Sequence, residues 1–173
     1  MTDKNEHPLL KTHPHLQEFV AFLEHLKIES ERGQVLISAA MLDDLLMQII
    51  QAFLIKGDSA NKLLSGFNAP LGSLSSRVEA AHALGLISRE ERSDATIIRK
   101  IRNEFAHTLA VSFEDQQVKD KCAALHFSAK DYGDAVGSPR GQFSTAATAL
   151  ILNLTNRPHY VGKKCLSWQA WPY

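Results

Sequence analysis

The stretch Ile97 to His107 reads Ile-Ile-Arg-Lys-Ile-Arg-Asn-Glu-Phe-Ala-His and sets Arg102, Asn103 and His107 near the end of a strongly patterned segment. Arg99, Asn103 and His107 recur every four residues, so on a helix they share one stripe, with Arg102 on its flank. Guanidinium, amide and imidazole are then presented together. An arginine grips a phosphate through its bidentate fork, and a histidine moves a proton near neutral pH. The pair suffices for metal-free RNA cleavage: Arg holds the scissile phosphate and stabilises developing charge while His transfers a proton on the attacking or leaving oxygen. The plainer reading of His107 is a histidine favoured by the dipole at a helix C-terminus.

Other polar residues bear on the same region. Asp43 and Asp44 interrupt the longest apolar segment, and a buried carboxylate there must be paired. A salt bridge or hydrogen bond, to Arg77 or Arg102, is expected ahead of an acid/base role. The candidate polar cluster is therefore Asp43, Asp44, Arg77, Arg99, Arg102, Asn103 and His107. His13 and His15 have no acidic or thiol partner at ligand spacing and read as exposed histidines. Cys122 and Cys165 stand alone, which suggests neither a disulfide framework nor a zinc site. Gly72-Ser73-Leu74-Ser75 does not make a nucleophile elbow, and no glycine loop followed by lysine cradles a phosphate. No metal and no cofactor are expected.

With a formal net charge of zero and a pI of about 7.1, broad affinity for DNA phosphates is disfavoured, and direct DNA binding is not expected. Two small basic patches, Arg99, Lys100 and Arg102, and Arg157, Lys163 and Lys164, read as solvated charge. Residues 1–11 lack the apolar segment of a secretory signal, and no uninterrupted apolar run approaches the roughly 20 residues of a membrane span, so a cytoplasmic protein away from the membrane is expected.

The elements that position these residues follow from apolar spacing. A chain of 173 residues fits one domain, and the apolar residues recur at helical rather than alternating intervals, which predicts an all-α fold. Helices are expected over about Pro14–Lys27, Glu29–Lys56, Gly72–Leu84, Ser88–Leu109, Phe113–Leu125 and Phe143–Asn156, the second long and central. Ser88 with Glu91, and Ser112 with Asp115, fit helix-starting caps, and Gly85 fits a helix stop. Ile97, Ile98, Ile101, Phe105 and Leu109 mark the core side of the fourth helix. Residues 57–71 and 127–142 read as loops. Residues 1–13 form a polar extension, 14–156 a compact bundle, and 157–173 a non-helical tail. That tail carries Tyr160, Trp168, Trp171 and Tyr173, whose large apolar areas are expected to be covered by the domain or by a second subunit.

Several blocks in order carry a resemblance: Arg32-Gly33, Val35-Leu36-Ile37, Leu42-Asp43, Ala69 through Arg77, Gly85-Leu86-Ile87, and Ile98 through His107. Over roughly Glu29 to Leu125 the chain resembles the mannitol operon repressor family. The resemblance implies an all-α transcriptional repressor without an evident helix-turn-helix, acting through contacts with another regulator. The segment with Arg102, Asn103 and His107 also resembles the HEPN superfamily, whose ribonucleases carry these types at these positions and are commonly dimers. That likeness implies Arg102 and His107 as catalytic, Asn103 as orienting, and RNA as partner.

Three functions follow: a non-enzymatic regulator that is a homodimer with a protein partner, a metal-independent endoribonuclease, or a scaffolding dimer in which Arg102 and His107 tie helices together through Asp43 or Asp44.

Overall fold

The computed structural model describes Leu10, residues 12–128 and residues 137–172. The beginning of the N-terminal extension, the middle of the 127–142 loop and Tyr173 lie outside the described residues. A single 3-10 turn, Pro14–Leu16, leads into α1 (Gln17–Ile28), followed by α2 (Glu31–Phe53), α3 (Asp58–Leu64), α4 (Leu74–Ala83), α5 (Arg89–His107), α6 (Gln116–Ala123), α7 (Pro139–Thr155) and α8 (Arg157–Gly162). Among the described residues there is no strand. The protein is all-α, as its apolar spacing requires.

α2 is the axis of the bundle and packs against α1, α4, α5, α7 and α8. Its length and composition would pass for a membrane span, but Val35, Leu42, Leu46, Ile49 and Ile50 are buried within the bundle. Packing on several sides explains so wide an apolar face. Ser30 starts α2 by accepting a hydrogen bond from the Gly33 backbone. Ser88 and Glu91 form a complete capping box at the start of α5, Ser73 and Ser76 do the same for α4, and Gly85 takes φ +70° just past the end of α4, a conformation glycine adopts freely.

Four expectations fail. Residues 58–64 are helical rather than loop. α6 starts only at Gln116, because Ser112–Asp115 closes on itself as a turn: the Ser112 N–H donates to Asp115 Oδ2 at 3.1 Å and the Glu114 N–H to Ser112 Oγ at 3.2 Å. The turn drops Phe113 between Phe105 and Phe143, with ring centroids 5.2 and 5.4 Å apart. Third, the chain turns helical again at Arg157–Gly162, where Pro158 occupies the first turn, a position that needs no N–H donor. Fourth, Leu109, placed on the core side by spacing, lies outside the helix and is exposed. The indoles of the tail are not covered within one copy, where Trp168 is 86% and Trp171 76% exposed, so of the two covers expected for them a second subunit is the one left.

Candidate interaction surface on α5

The core face of α5 is made by Ala95, Ile98, Ile101 and Phe105. The first half of the helix is tied down by charge. Glu91, itself buried, accepts from Arg157 at 2.8 and 3.2 Å and from the Ser88 backbone at 2.7 Å. Arg157 also donates to the Leu86 carbonyl at 2.9 Å, so it is a structural cation rather than solvated tail charge. Asp94, fully buried, accepts from the His126 backbone at 2.8 Å, the His126 ring at 2.9 Å and the Phe127 backbone at 2.9 Å. Arg92 pairs with Glu79 on α4 through two bonds of 3.0 and 3.1 Å. Glu90, exposed, is held below the ordinary carboxylate range by a backbone N–H and then by the Ser88 hydroxyl.

The far end is fixed by a residue the spacing argument did not single out. Arg32, at the start of α2, donates to the carbonyl of Phe105 and to those of Thr108 at 2.8 Å and Leu109 at 2.9 Å. A helix ends with unpaired carbonyls, and a guanidinium fork is well suited to collect them. Next to it, Glu31 accepts from the Phe113 backbone at 3.1 Å. The one signal for this role was Arg32-Gly33 heading the ordered blocks. For Asp94 a clearer sign existed: it falls on the same stripe as Ile98 and Ile101, where an unpaired carboxylate could not remain.

Between these anchors lie Arg99, Lys100, Arg102, Asn103 and His107. Arg99, Arg102 and Asn103 are partly exposed, Lys100 and His107 exposed. None of these side chains has a hydrogen bond or ion pair among the described residues. The rest of the expected cluster is elsewhere. Asp43 lies 2.8 Å from Arg77 in an ion pair, and Arg77 also donates to the carbonyls of Leu71 at 2.9 Å and Leu64 at 3.1 Å. Asp44 accepts from Gln48 at 2.6 Å. Arg102 and His107 are therefore not tied to α2 through either aspartate among the described residues.

Among the described residues no group of three or more His, Cys, Asp or Glu could hold a metal ion. Burial pushes the Cys122 thiol up to about 12, keeping it neutral in the core, while Cys165 is exposed.

These features define an all-helical protein that offers a rigidly framed polar surface, the architecture of an interaction module. The chain belongs to the mannitol repressor family, whose model matches residues 20–137, and is a transcriptional regulator of that type. It is similar to a chain of the MtlR–HPr complex from Escherichia coli, at 25% identity over 84% of this chain and 99% of that one, with a TM-score of 0.57. A possible transcriptional regulator, YggD, from Shigella flexneri 2a shares the fold, at 15% identity over 80% of this chain and 95% of that one, with a TM-score of 0.61. Among curated proteins none matches.

Proposed function

We propose that this chain is a cytoplasmic homodimer that regulates transcription as mannitol operon repressors do, through contact with another protein rather than a DNA-reading helix of its own. The observation that carries this reading is the second half of α5. The arginines outside α5, at 32, 77, 140 and 157, are bound within the fold, whereas Arg99 and Arg102 are not. Holding long polar side chains unpaired on a rigid helix contributes nothing to stability, and such groups are available to an incoming surface. A partner of the HPr kind is the first choice, since a relative of this chain was captured with that protein.

Calorimetric titration with HPr from the same host tests this. We expect saturable heat with the wild type and at least a tenfold weaker association for Arg99→Glu/Arg102→Glu. A wild type that gives no heat rules out the HPr-type partner, and an unweakened variant moves the contact to another face.

A second reading keeps the same residues. Arg102, Asn103 and His107 sit on adjacent turns with no internal partner, free to meet an RNA phosphate, as a HEPN-like ribonuclease requires. Under that reading, purified protein cleaves total RNA in EDTA and His107→Ala does not, with circular dichroism confirming that both are folded. Cleavage by neither protein removes it.

A further inference from the structure

Beyond α8 the chain runs along the end of α2, where the Leu166 N–H donates to the Phe53 carbonyl at 2.8 Å. From there it leaves the domain with its indoles outward, Trp168 86% and Trp171 76% exposed, while Tyr160 on α8 is 61% exposed. Two indoles a few residues apart thus leave largely apolar surface of about 150–250 Å² each open to water. The tail lies outside the span that matches the family model, residues 20–137.

At the root of this tail lies a half-open groove of about 590 Å³, formed by the end of α2, the start of α3 and the tail itself. That volume falls within the range of small-ligand pockets, about 300–1,000 Å³, and takes an indole with room to spare. Ala52, Ala60 and Gly162 supply small apolar wall, and Gln51, Lys56 and Asn61 line it as well. The lining supplies the kinds of group that suit a tryptophan. The amide oxygens of Gln51 and Asn61 can accept from the indole N–H, the Lys56 ammonium can lie over the ring face, and the alanines can pack against it. The chain's own tryptophans do not occupy the groove, as their exposure shows.

We infer that the groove beside α3 receives Trp168 or Trp171 from a second copy of this chain, so that two copies exchange tails about a two-fold axis. The exposed aromatic segment and the groove belong to the same chain and adjoin each other, as a self-complementary interface requires. With one indole in each of two grooves, the exchange would bury roughly 600–1,000 Å² counting both sides, the size of a weak, reversible interface that dilution can dissociate. It rests on the homodimer proposed above and names the surface that makes it.

Both tryptophans of the chain are in this tail, so their fluorescence reports on the tail alone. The experiment uses the full chain in sedimentation and in emission spectra across a dilution series. Three forms are compared: wild type, Trp168→Ala/Trp171→Ala, and Asn61→Phe, which plugs the groove from an exposed position on α3. The wild type is expected to be a dimer with blue-shifted emission that moves to the red on dilution. Each variant is expected to dissociate at least tenfold more readily. Mixing the two variants should give a 1:1 dimer of strength between the variants and the wild type, because one of the two tail–groove contacts is then intact. If both variants dimerise as the wild type does, the tail exchange is wrong and the dimer forms elsewhere. A wild type that is monomeric with red emission overturns both the exchange and the homodimer. A wild type that is monomeric with blue emission at every concentration overturns the exchange in favour of a tail folded onto its own groove.

Discussion

In the first half of α5, Glu91, Arg92 and Asp94 reach α8, α4 and the 126–127 turn respectively, each through two or more hydrogen bonds. In the second half, Arg99, Lys100, Arg102, Asn103 and His107 reach nothing within the described fold, although both halves share one apolar face. The difference is one of coverage. Other elements bring complementary groups over the polar side of the first half; over the second, among the described residues, Glu104 is the one side chain met, by Lys121 at 3.3 Å, beside the terminal carbonyls that Arg32 collects. A charged helix can thus be structural at one end and available at the other, and charge density does not distinguish the two.

Substitutions can break or sharpen this contrast. The largest stability loss is expected from Asp94→Ala, which leaves a hole where a fully buried carboxylate held the partly buried His126 and Phe127 backbone donors. Denaturant unfolding should show a loss of about 3 kcal/mol or more. Arg32→Ala should cost about 1–3 kcal/mol by the same measurement, because the end of α5 loses the cation that gathers its carbonyls. Faster amide exchange is expected at Thr108, whose N–H donates to the Glu104 carbonyl. Ser88→Ala removes one arm of the capping box and should cost about 1 kcal/mol. Arg99→Ala/Arg102→Ala/His107→Ala should leave stability within about 0.5 kcal/mol while abolishing partner binding or RNA cleavage, whichever the protein performs. A loss above about 1 kcal/mol in that triple variant would show that the second half is structural after all.

The sequence already showed much of the frame. Ser88 with Glu91 marked the start of α5, and the run Ile98, Ile101, Phe105 marked its core face, since caps and helical periodicity act within one or two turns. The misses have physical causes. α3 is only seven residues long, too short to display a period. Ser112–Asp115 carries the residue types of a cap but spends them on a turn. Pro158 reads as a helix breaker, yet here it begins a helix. Leu109 keeps the helical spacing of the core side, yet α5 ends at His107, two residues before it.

For the candidate site, the sequence located Arg102, Asn103 and His107 and the helix that carries them, because their spacing is a property of the chain. Tertiary structure alone decided which charges the fold consumes. The bonds that consume them join Arg32 to Phe105 across 73 residues, Glu91 to Arg157 across 66 and Asp94 to His126 across 32. Local patterns reach a few residues along the chain, and hydrogen bonds over such separations exist only once packing has brought the helices together.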